Sequence, residues 1–275
     1  MSARSIGIVA ASALLPCLLL AKGLEFKDPT GDDKGPGTYT YPTDAAYEKG
    51  CFDLTLVAID AKGKDVEITV EFAKKVSDPW DSAKWQPAGN GFSVQMVQVY
   101  IDTDHKAGSG FTDSLPGMNA KFAADQAWDK VVIISPQPSS RVSQEVDQKA
   151  ASFKKGVVIP RKVTVRGKSI IAVVDAKELG SPDAKWGVQA LVGSNEGYPA
   201  ATDLLSRKVN EFEGPHRFGG GCDFDGDPHF VDCLAGSAKG DKAEIEAQYS
   251  ALKAHSCSDK PAAEKRAVVP MIYGK

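Results

Sequence analysis

Residues 66–72 carry the pattern that restricts the fold most strongly. Apolar side chains occupy every second position from Val66 to Phe72, and polar or charged side chains occupy the positions between them. Successive side chains of a strand point to opposite faces, so this alternation predicts a strand with one buried face and one solvated face. Residues 52–58 alternate in the same way, and the turn-forming segment 60–64 joins the two strands as a predicted hairpin.

Similar patterns continue along most of the chain. Further strands are predicted at 92–101, 130–135, 156–165, 169–175, 186–192 and 267–273. Residues 92–101 are apolar on both faces, which is typical of a strand at the centre of a sheet or of one that carries a bulge. Residues 104–129 show little strand pattern but contain Phe111, Met118, Phe122 and Trp128, so this segment is predicted to be an ordered loop packed on the sheets.

Helical patterns are scarce. At most one helical turn is predicted at 176–179, and the spacing of Ile245, Tyr249 and Leu252 predicts one helix at 241–254. Many short strands separated by turn residues, followed by one late helix, predict an all-β fold. The specific expectation is a single β-sandwich with a C-terminal helix.

The first 23 residues are predicted to be a signal peptide, and residues 24–275 to be one domain. Arg4 supplies a positive charge, residues 6–21 form an apolar run, and Ala21 and Gly23 are small residues at a cleavage site. The run is short for a membrane span, which needs about 20 apolar residues. We therefore expect a chain that is secreted, periplasmic or on the cell surface, with no membrane span after cleavage.

The net charge of the whole chain is −3. Removal of the leader takes away Arg4 and Lys22 and no acidic residue, which makes the remainder two units more negative. This mild acidity argues against a nucleic acid or an anionic membrane as the partner.

The segment 28–43 places three carboxylates within six residues, among glycines and prolines that prevent regular structure. Carboxylates on a sharply folded loop suit Ca²⁺, which binds hard oxygen ligands. Asp28, Asp32 and Asp33 are the first predicted ligands of a structural calcium ion. Similar acidic stretches lie at 102–104 and 223–227, and the second set of predicted ligands is Asp225, Asp227 and Asp232.

Four cysteines follow the leader, and in an exported chain they predict up to two disulfides with three possible pairings. Cys222 and Cys233 flank one loop and are the preferred pair. Cys51 with Cys257 then follows by elimination.

Eleven short segments, taken together and in order, resemble a known family. They are residues 28–43, 50–55, 78–80, 91–95, 99–102, 115–120, 128–129, 186–189, 217–221, 227–232 and 269–271. The chain resembles the C-terminal domain of glucodextranases and of some amylopullulanases, in a superfamily with the DOMON domains and the family-nine carbohydrate-binding modules. The resemblance implies a β-sandwich that binds sugar or attaches to the cell surface.

Sugar binding requires exposed aromatic rings on which pyranose C–H groups can stack. Trp80 and Trp85, in a loop rich in proline and glycine, are the first candidates, and Tyr198 is a further one. Trp128 and Trp186 stand at the starts of predicted strands, where core packing is expected instead. The predicted ligand is an α-glucan or a cell-surface polysaccharide. An envelope protein or a glycoside hydrolase is the alternative partner.

Two other functions have less support in the sequence. The superfamily also includes haem carriers, for which Met96, Met118, His105 and His216 are the candidate ligands, but no Cys-x-x-Cys-His motif is present and haem is not expected. Catalytic motifs such as His-Glu-x-x-His and Gly-x-Ser-x-Gly are absent from the sequence. The expected function is therefore non-catalytic binding, with a scaffold role in the cell envelope as the alternative.

Overall fold

The computed structural model describes residues 23–222, 226–258 and 265–274. Of the predicted signal peptide, only Gly23 is among the described residues. The predicted ligand Asp225 also lies outside them.

Strands dominate the described residues, and three α-helices lie between them. In chain order the strands are β1 (Leu24–Lys27), β2 (Leu54–Lys62), β3 (Asp65–Phe72), β4 (Gln95–Asp102), β5 (Ala120–Lys121), β6 (Lys130–Ile134), β7 (Val157–Val158), β8 (Lys162–Arg166), β9 (Ser169–Asp175), β10 (Gly187–Ser194), β11 (Asp232–Cys233), β12 (Ala267–Val268) and β13 (Ile272–Tyr273). The α-helices of the described residues are α1 (Ser139–Lys149), α2 (Ala176–Leu179) and α3 (Ala243–Lys253).

Two main sheets form a sandwich. The first sheet has the order β1-β2-β3-β9-β8, and all of its neighbours are antiparallel. The second sheet has the order β11-β10-β4-β6-β7, with β13 also paired to β10. The small strands β5 and β12 pair in parallel as a separate ribbon. This architecture confirms the predicted all-β sandwich with a late helix.

The two faces of the second sheet bury two hydrophobic cores. The core between the sheets contains Leu54, Ile68 and Phe72 of the first sheet together with Val97 and Val188 of the second. The outer face of the second sheet packs against α1, α3 and the long loops. Because β4 is covered on both sides, all eight of its residues are buried, as the apolar pattern predicts for a central strand.

The segment 104–129 covers that outer face, as predicted. Met118, Phe122 and Trp128 are buried in the second core, and Phe111 packs against it. Trp186, the other tryptophan expected to pack internally, is buried in the core between the sheets.

Two predicted strands are divided by proline. The predicted strand 156–165 is interrupted at Pro160 and becomes β7 and β8, which belong to different sheets. The predicted strand 267–273 is interrupted at Pro270 and becomes β12 and β13. Proline has no N–H to donate and therefore ends a ladder.

The helix α1 was not expected from the sequence. It buries only Val142 and Val146, so its apolar stripe is one residue wide and gives a weak periodic signal. The short strands β1, β5 and β11 were not predicted either, because two to four residues are too few to show alternation.

The predicted cysteine pairs are wrong. The structure joins Cys222 to Cys257, with their Cα atoms 6.4 Å apart, and leaves Cys51 and Cys233 as buried free thiols. Cys51 lies in the core between the sheets, whereas Cys233 is in β11 and faces the second core. The second sheet therefore separates these two thiols from each other.

Within the described ranges, no helix has the length and apolar character needed to cross a membrane.

Candidate functional site

A cleft of about 500 Å³ opens at one end of the sandwich. Strand β4 runs antiparallel to β6 and β10, so its first residue lies beside the last residues of those two strands. The segments that precede β4 and follow β6 and β10 form the walls of the cleft. The strands thus bring together loops that are distant in sequence.

The three aromatic residues predicted to stack on sugars all line this cleft. Trp80 and Trp85 come from the loop before β4, and Tyr198 comes from the loop after β10. The tryptophans are half-buried, whereas Tyr198 is 94% exposed. The cleft therefore presents ring surfaces from two separate loops.

Ring contacts and a hydrogen bond hold the two tryptophans. The Trp80 ring meets the Tyr47 and His216 rings edge to face, at centroid distances of 5.9 and 5.8 Å. The indole N–H of Trp85 donates to the Trp80 carbonyl at 3.1 Å. Since side chains that are already fixed lose little entropy on binding, these contacts prepare the rings for a ligand.

The loop that carries the tryptophans is fastened at two points. The Asp78 carboxylate accepts the backbone N–H of Ser82 at 2.8 Å and the Ser93 hydroxyl. At Gly89, a Cβ atom would lie 2.6 Å from the Pro136 carbonyl oxygen and 3.0 Å from the Trp85 ring. Only glycine allows the chain to return this closely beneath the indole.

Polar side chains complete the cleft. They are Gln86, Gln137, Arg141, Asn195, Glu196, Arg207 and His216. Amide and guanidinium groups beside exposed rings are the groups that receive sugar hydroxyls while the rings receive the C–H face.

Several of these side chains also position the Tyr198 loop. Arg207 Nε lies 3.3 Å from the Glu196 carboxylate, whose other oxygen accepts the backbone N–H of Tyr198 at 3.0 Å. Arg141 Nη2 donates to the carbonyl of Gly197 at 2.6 Å. The exposed tyrosine is thus carried by a loop that is held from both sides.

A second feature is a group of buried aspartates at the sandwich edge formed by β1 and β11. Asp28, Asp32 and Asp232 each place a carboxylate oxygen within 4.8 Å of the others. Asp28 follows β1, and Asp232 begins β11. Asp232 also accepts the backbone N–H of Leu54 at 2.7 Å, so the group connects the edges of the two sheets. We call Asp28, Asp32, Asp232 and the neighbouring Asp53 the aspartate cluster.

Most of the oxygens in this cluster lack a partner in the protein. Among the described residues, no hydrogen bond reaches either carboxylate oxygen of Asp28 or of Asp32, one oxygen of Asp53, or the nearby hydroxyl of Thr55. Each buried polar group left unpaired costs about 1–3 kcal/mol. The orphaned oxygens therefore fit a bound hard cation such as Ca²⁺, which takes about six to eight oxygen ligands.

Burial raises the pKa of the cluster carboxyls. It raises the pKa of Asp28 to about 10, and repulsion from Asp32 adds to this rise. Burial also raises the pKa of Asp32 and of Asp53 to about 7, and that of Asp232 well above its ordinary value. Without a cation, these side chains hold protons that a bound metal would displace.

Two glycines shape the loop that carries Asp28 and Asp32. Gly31 has φ 98° and donates its N–H to Asp53 at 2.9 Å. Gly35 has φ 55°, and a Cβ there would lie 2.3 Å from the Tyr39 ring. The positive φ angles turn the loop back towards the cluster, which is the role expected of glycine in this segment.

Helix α3 is fastened to the same loop. Gln248 donates to the Asp32 carbonyl at 2.7 Å and accepts the N–H of Cys233 at 2.9 Å. The Glu244 carboxylate accepts N–H groups from Lys239 at 3.0 Å and Gly240 at 2.9 Å. Burial alone would raise the pKa of Glu244, but its hydrogen bonds, led by that from Lys239, lower it below its ordinary value.

The other predicted metal ligands lie elsewhere. Asp33 is buried beside the cluster, but its carboxylate accepts the Tyr41 hydroxyl. Asp227 lies near the disulfide and accepts the Tyr39 hydroxyl at 3.4 Å. The structure therefore brings together two members of the first predicted set, Asp28 and Asp32, with one member of the second, Asp232.

A third acidic group occurs at the end of β4 that lies away from the cleft, where Asp102, Asp104 and Asp129 converge. Asp102 accepts the Tyr273 hydroxyl at 2.6 Å, and Asp129 accepts the Thr103 hydroxyl at 2.7 Å. These hydrogen bonds hold the Asp102 and Asp129 carboxylates in place, so their proximity does not require a bound cation.

Residues 24–270 match the family model described as the C-terminal binding module, SLH-like, of glucodextranase. The chain belongs to this family. A search of curated proteins finds no match. The cleft and the aspartate cluster both lie within the matched residues of the module. Family membership confirms the predicted resemblance and assigns the chain to a class of binding modules.

The residues considered as haem ligands lie in three different places in the module. Met96 and Met118 are buried in the second core. His105 stacks on Tyr273 with ring centroids 3.9 Å apart, and His216 lines the cleft.

Sequence reasoning missed several residues of both features. Asp53 and Thr55 lie at the start of β2, and the alternation over residues 52–58 placed both on the solvated face of the predicted strand, so it gave no sign of a buried site. Arg141 and Gln137 lie at or near the start of the unpredicted helix α1. Arg207 lies in a segment with no periodic pattern, so no sequence signal could place it at the cleft.

Proposed function

We propose that this module is a non-catalytic, secreted domain that binds a carbohydrate in the cleft lined by Trp80, Trp85 and Tyr198. The observation that carries the proposal is the convergence of three partly or fully exposed aromatic rings on one cleft of a chain from a binding-module family. Polar side chains suited to sugar hydroxyls surround the rings. The ligand class is an α-glucan or a cell-surface polysaccharide.

The acids of the cleft support a non-catalytic role. Hydrolysis of a glycosidic bond ordinarily requires two carboxyl groups on opposite sides of the bond. Glu196 is the one acid among the described residues that line the cleft, and Arg207 is paired with it at 3.3 Å.

Secretion is supported by two further observations. The family match begins at residue 24, directly after the predicted leader. The Cys222–Cys257 disulfide suits an oxidising compartment outside the cytosol.

We further propose that a calcium ion stabilises the module at the aspartate cluster. Asp28, Asp32 and Asp232 would hold the ion, and Asp53 and Thr55 offer additional oxygens. Bound there, the ion would supply positive charge that offsets the repulsion among the buried carboxylates and would connect β1 to β11.

Replacement of Tyr198 tests the sugar proposal most directly. The Tyr198→Ala protein should fold normally because the side chain is 94% exposed, and it should lose about tenfold in affinity because one stacking ring is gone. A glycan array would identify the ligand, and calorimetric titration would then measure the affinity of each variant.

Phe212→Ala is the matched control, since Phe212 is 72% exposed and is not among the residues that line the cleft. Equal binding by the Tyr198 and Phe212 variants would contradict the proposal. Failure to bind any polysaccharide would favour the alternative, an envelope scaffold, to which the SLH-like character of the family points.

A further inference from the structure

The cleft carries an excess of positive charge on a protein whose net charge is −3. Arg141 and Arg207 both line it, whereas Glu196 is the one acid among its described residues. Glu196 is already paired with Arg207. Among these lining residues, the second guanidinium, that of Arg141, therefore has no carboxylate partner.

Arg141 is only weakly compensated from outside the cleft. Its nearest acid is Glu145, one helical turn along α1, at 3.5 Å. Glu145 is held more closely by Lys149, at 2.8 Å. The local balance of these three side chains is therefore one positive charge, and Arg141 is the member of the three that lines the cleft.

Arg141 is also held in place by one hydrogen bond that leaves other N–H groups of its guanidinium available. Its Nη2 atom donates to the Gly197 carbonyl at 2.6 Å, which fixes the guanidinium beside the loop of Tyr198. Within the described part of the chain, its Nε and Nη1 groups have no hydrogen-bond partner, and the side chain is 34% exposed. An arginine with a free N–H edge is suited to a planar, two-oxygen anion.

The start of α1 adds to this field. Its first residue follows Pro138, which lines the cleft, and the helix has neither a side-chain cap nor an acidic residue in its first turn. The positive end of the helix dipole therefore faces this region without compensation.

From these contacts we infer that the cleft selects an acidic glycan, in which a uronic acid carboxylate is received by Arg141 while the sugar rings stack on Tyr198 and the tryptophans. This inference rests on the proposed sugar-binding function and specifies its ligand class. Arg141 would contribute a charge-assisted hydrogen bond, which typically amounts to about tenfold in affinity or more.

The test uses pairs of oligosaccharides that differ only in charge. Maltohexaose and cellohexaose are each compared with the same oligosaccharide oxidised at C6 to the carboxylate, by calorimetric titration of the whole protein. The oxidised member should bind about tenfold more tightly, and its affinity alone should fall as salt is raised. Arg141→Gln should remove this preference, so that the neutral and oxidised members bind equally, whereas Arg141→Lys should retain part of it.

Arg161→Gln is the matched control, because Arg161 pairs with Asp65 away from the cleft. Equal affinity for the neutral and oxidised members, with binding still lost in Tyr198→Ala, would overturn the acidic-glycan inference and leave the sugar-binding proposal intact. An equal loss for both members in Arg141→Gln would also overturn it, since the arginine would then only position the Tyr198 loop. No binding to either pair or to any glycan on an array would overturn both.

Discussion

In millimolar Ca²⁺, the protein is expected to unfold about 10 °C higher than it does in EDTA. A ligand that binds only the folded state adds about 3–4 kcal/mol when present at roughly 100 to 1,000 times its dissociation constant. For a chain of this size, 1 kcal/mol corresponds to about 2–4 °C. The expectation follows from the buried, unpartnered oxygens of Asp28 and Asp32. Scanning calorimetry at fixed pH would measure the shift.

The variant Asp28→Asn should change the stability relative to the parent protein in opposite directions without and with Ca²⁺. No hydrogen bond within the described residues reaches either oxygen of Asp28, so an amide there breaks none, and it cannot ionise beside Asp32 as the carboxyl does when the pH rises. In EDTA the variant should therefore be at least as stable as the parent protein. In Ca²⁺ it should be less stable than the parent, because one ligand charge has been lost.

Asp33→Asn provides the control, since Asp33 is an equally buried neighbour whose carboxylate is bonded to Tyr41. It should retain the full calcium response. A parent protein whose melting temperature does not change between EDTA and millimolar Ca²⁺ would rule out a calcium ion at this cluster.

The metal-free protein is expected to lose stability as the pH rises from 5 to 8. Asp32 and Asp53 have pKa values of about 7 in the folded protein, and Asp28 about 10, because burial opposes their ionisation. The corresponding pKa in the unfolded chain is near 4. Raised acid pKa values mean that the folded state holds more protons, so stability is greatest below pH 4 and falls as the pH passes through the folded-state values.

The expected loss is roughly 3 kcal/mol for each aspartate with a pKa near 7. Urea unfolding in EDTA at several pH values would measure it. Asp32→Asn should reduce the change in stability between pH 5 and pH 8, because it removes one of the titrating groups. In saturating Ca²⁺ the stability should instead rise with pH, since protons compete with the cation for the same oxygens. Equal stability of the metal-free protein at pH 5 and pH 8 would show that these carboxyls are not buried together.

The parts of the fold that could be predicted are those in which pattern and burial agree over many residues. Strand β3 alternates over eight positions, and its predicted bounds, like those of β9, nearly match the observed ones. The apolar run in β4 predicted a strand covered on both sides, and its residues are all buried. In such strands, side-chain periodicity reports the two faces of the sheet directly.

The parts that could not be predicted depend on contacts between distant segments. Asp232 joins Asp28 only because β11 and β1 lie on the same edge of the sandwich, and nothing near Asp232 in sequence shows this. The disulfide is a similar case, because the loop-flanking argument for Cys222 and Cys233 ignored that Cys233 faces a core. Trp80, Trp85 and Tyr198 were selected from the sequence because large aromatic residues in predicted loops are unusual on chemical grounds alone, and their role in binding stays a prediction.

The position of the aspartate cluster also bears on the kinetics of the fold. Neighbouring strands such as β2 and β3 can pair early, since a short turn connects them. The cluster forms only after residues 28, 53 and 232 have met, which requires both sheets and the closure of the longest loops in the chain. We therefore expect a cation held there to slow unfolding more than it speeds folding.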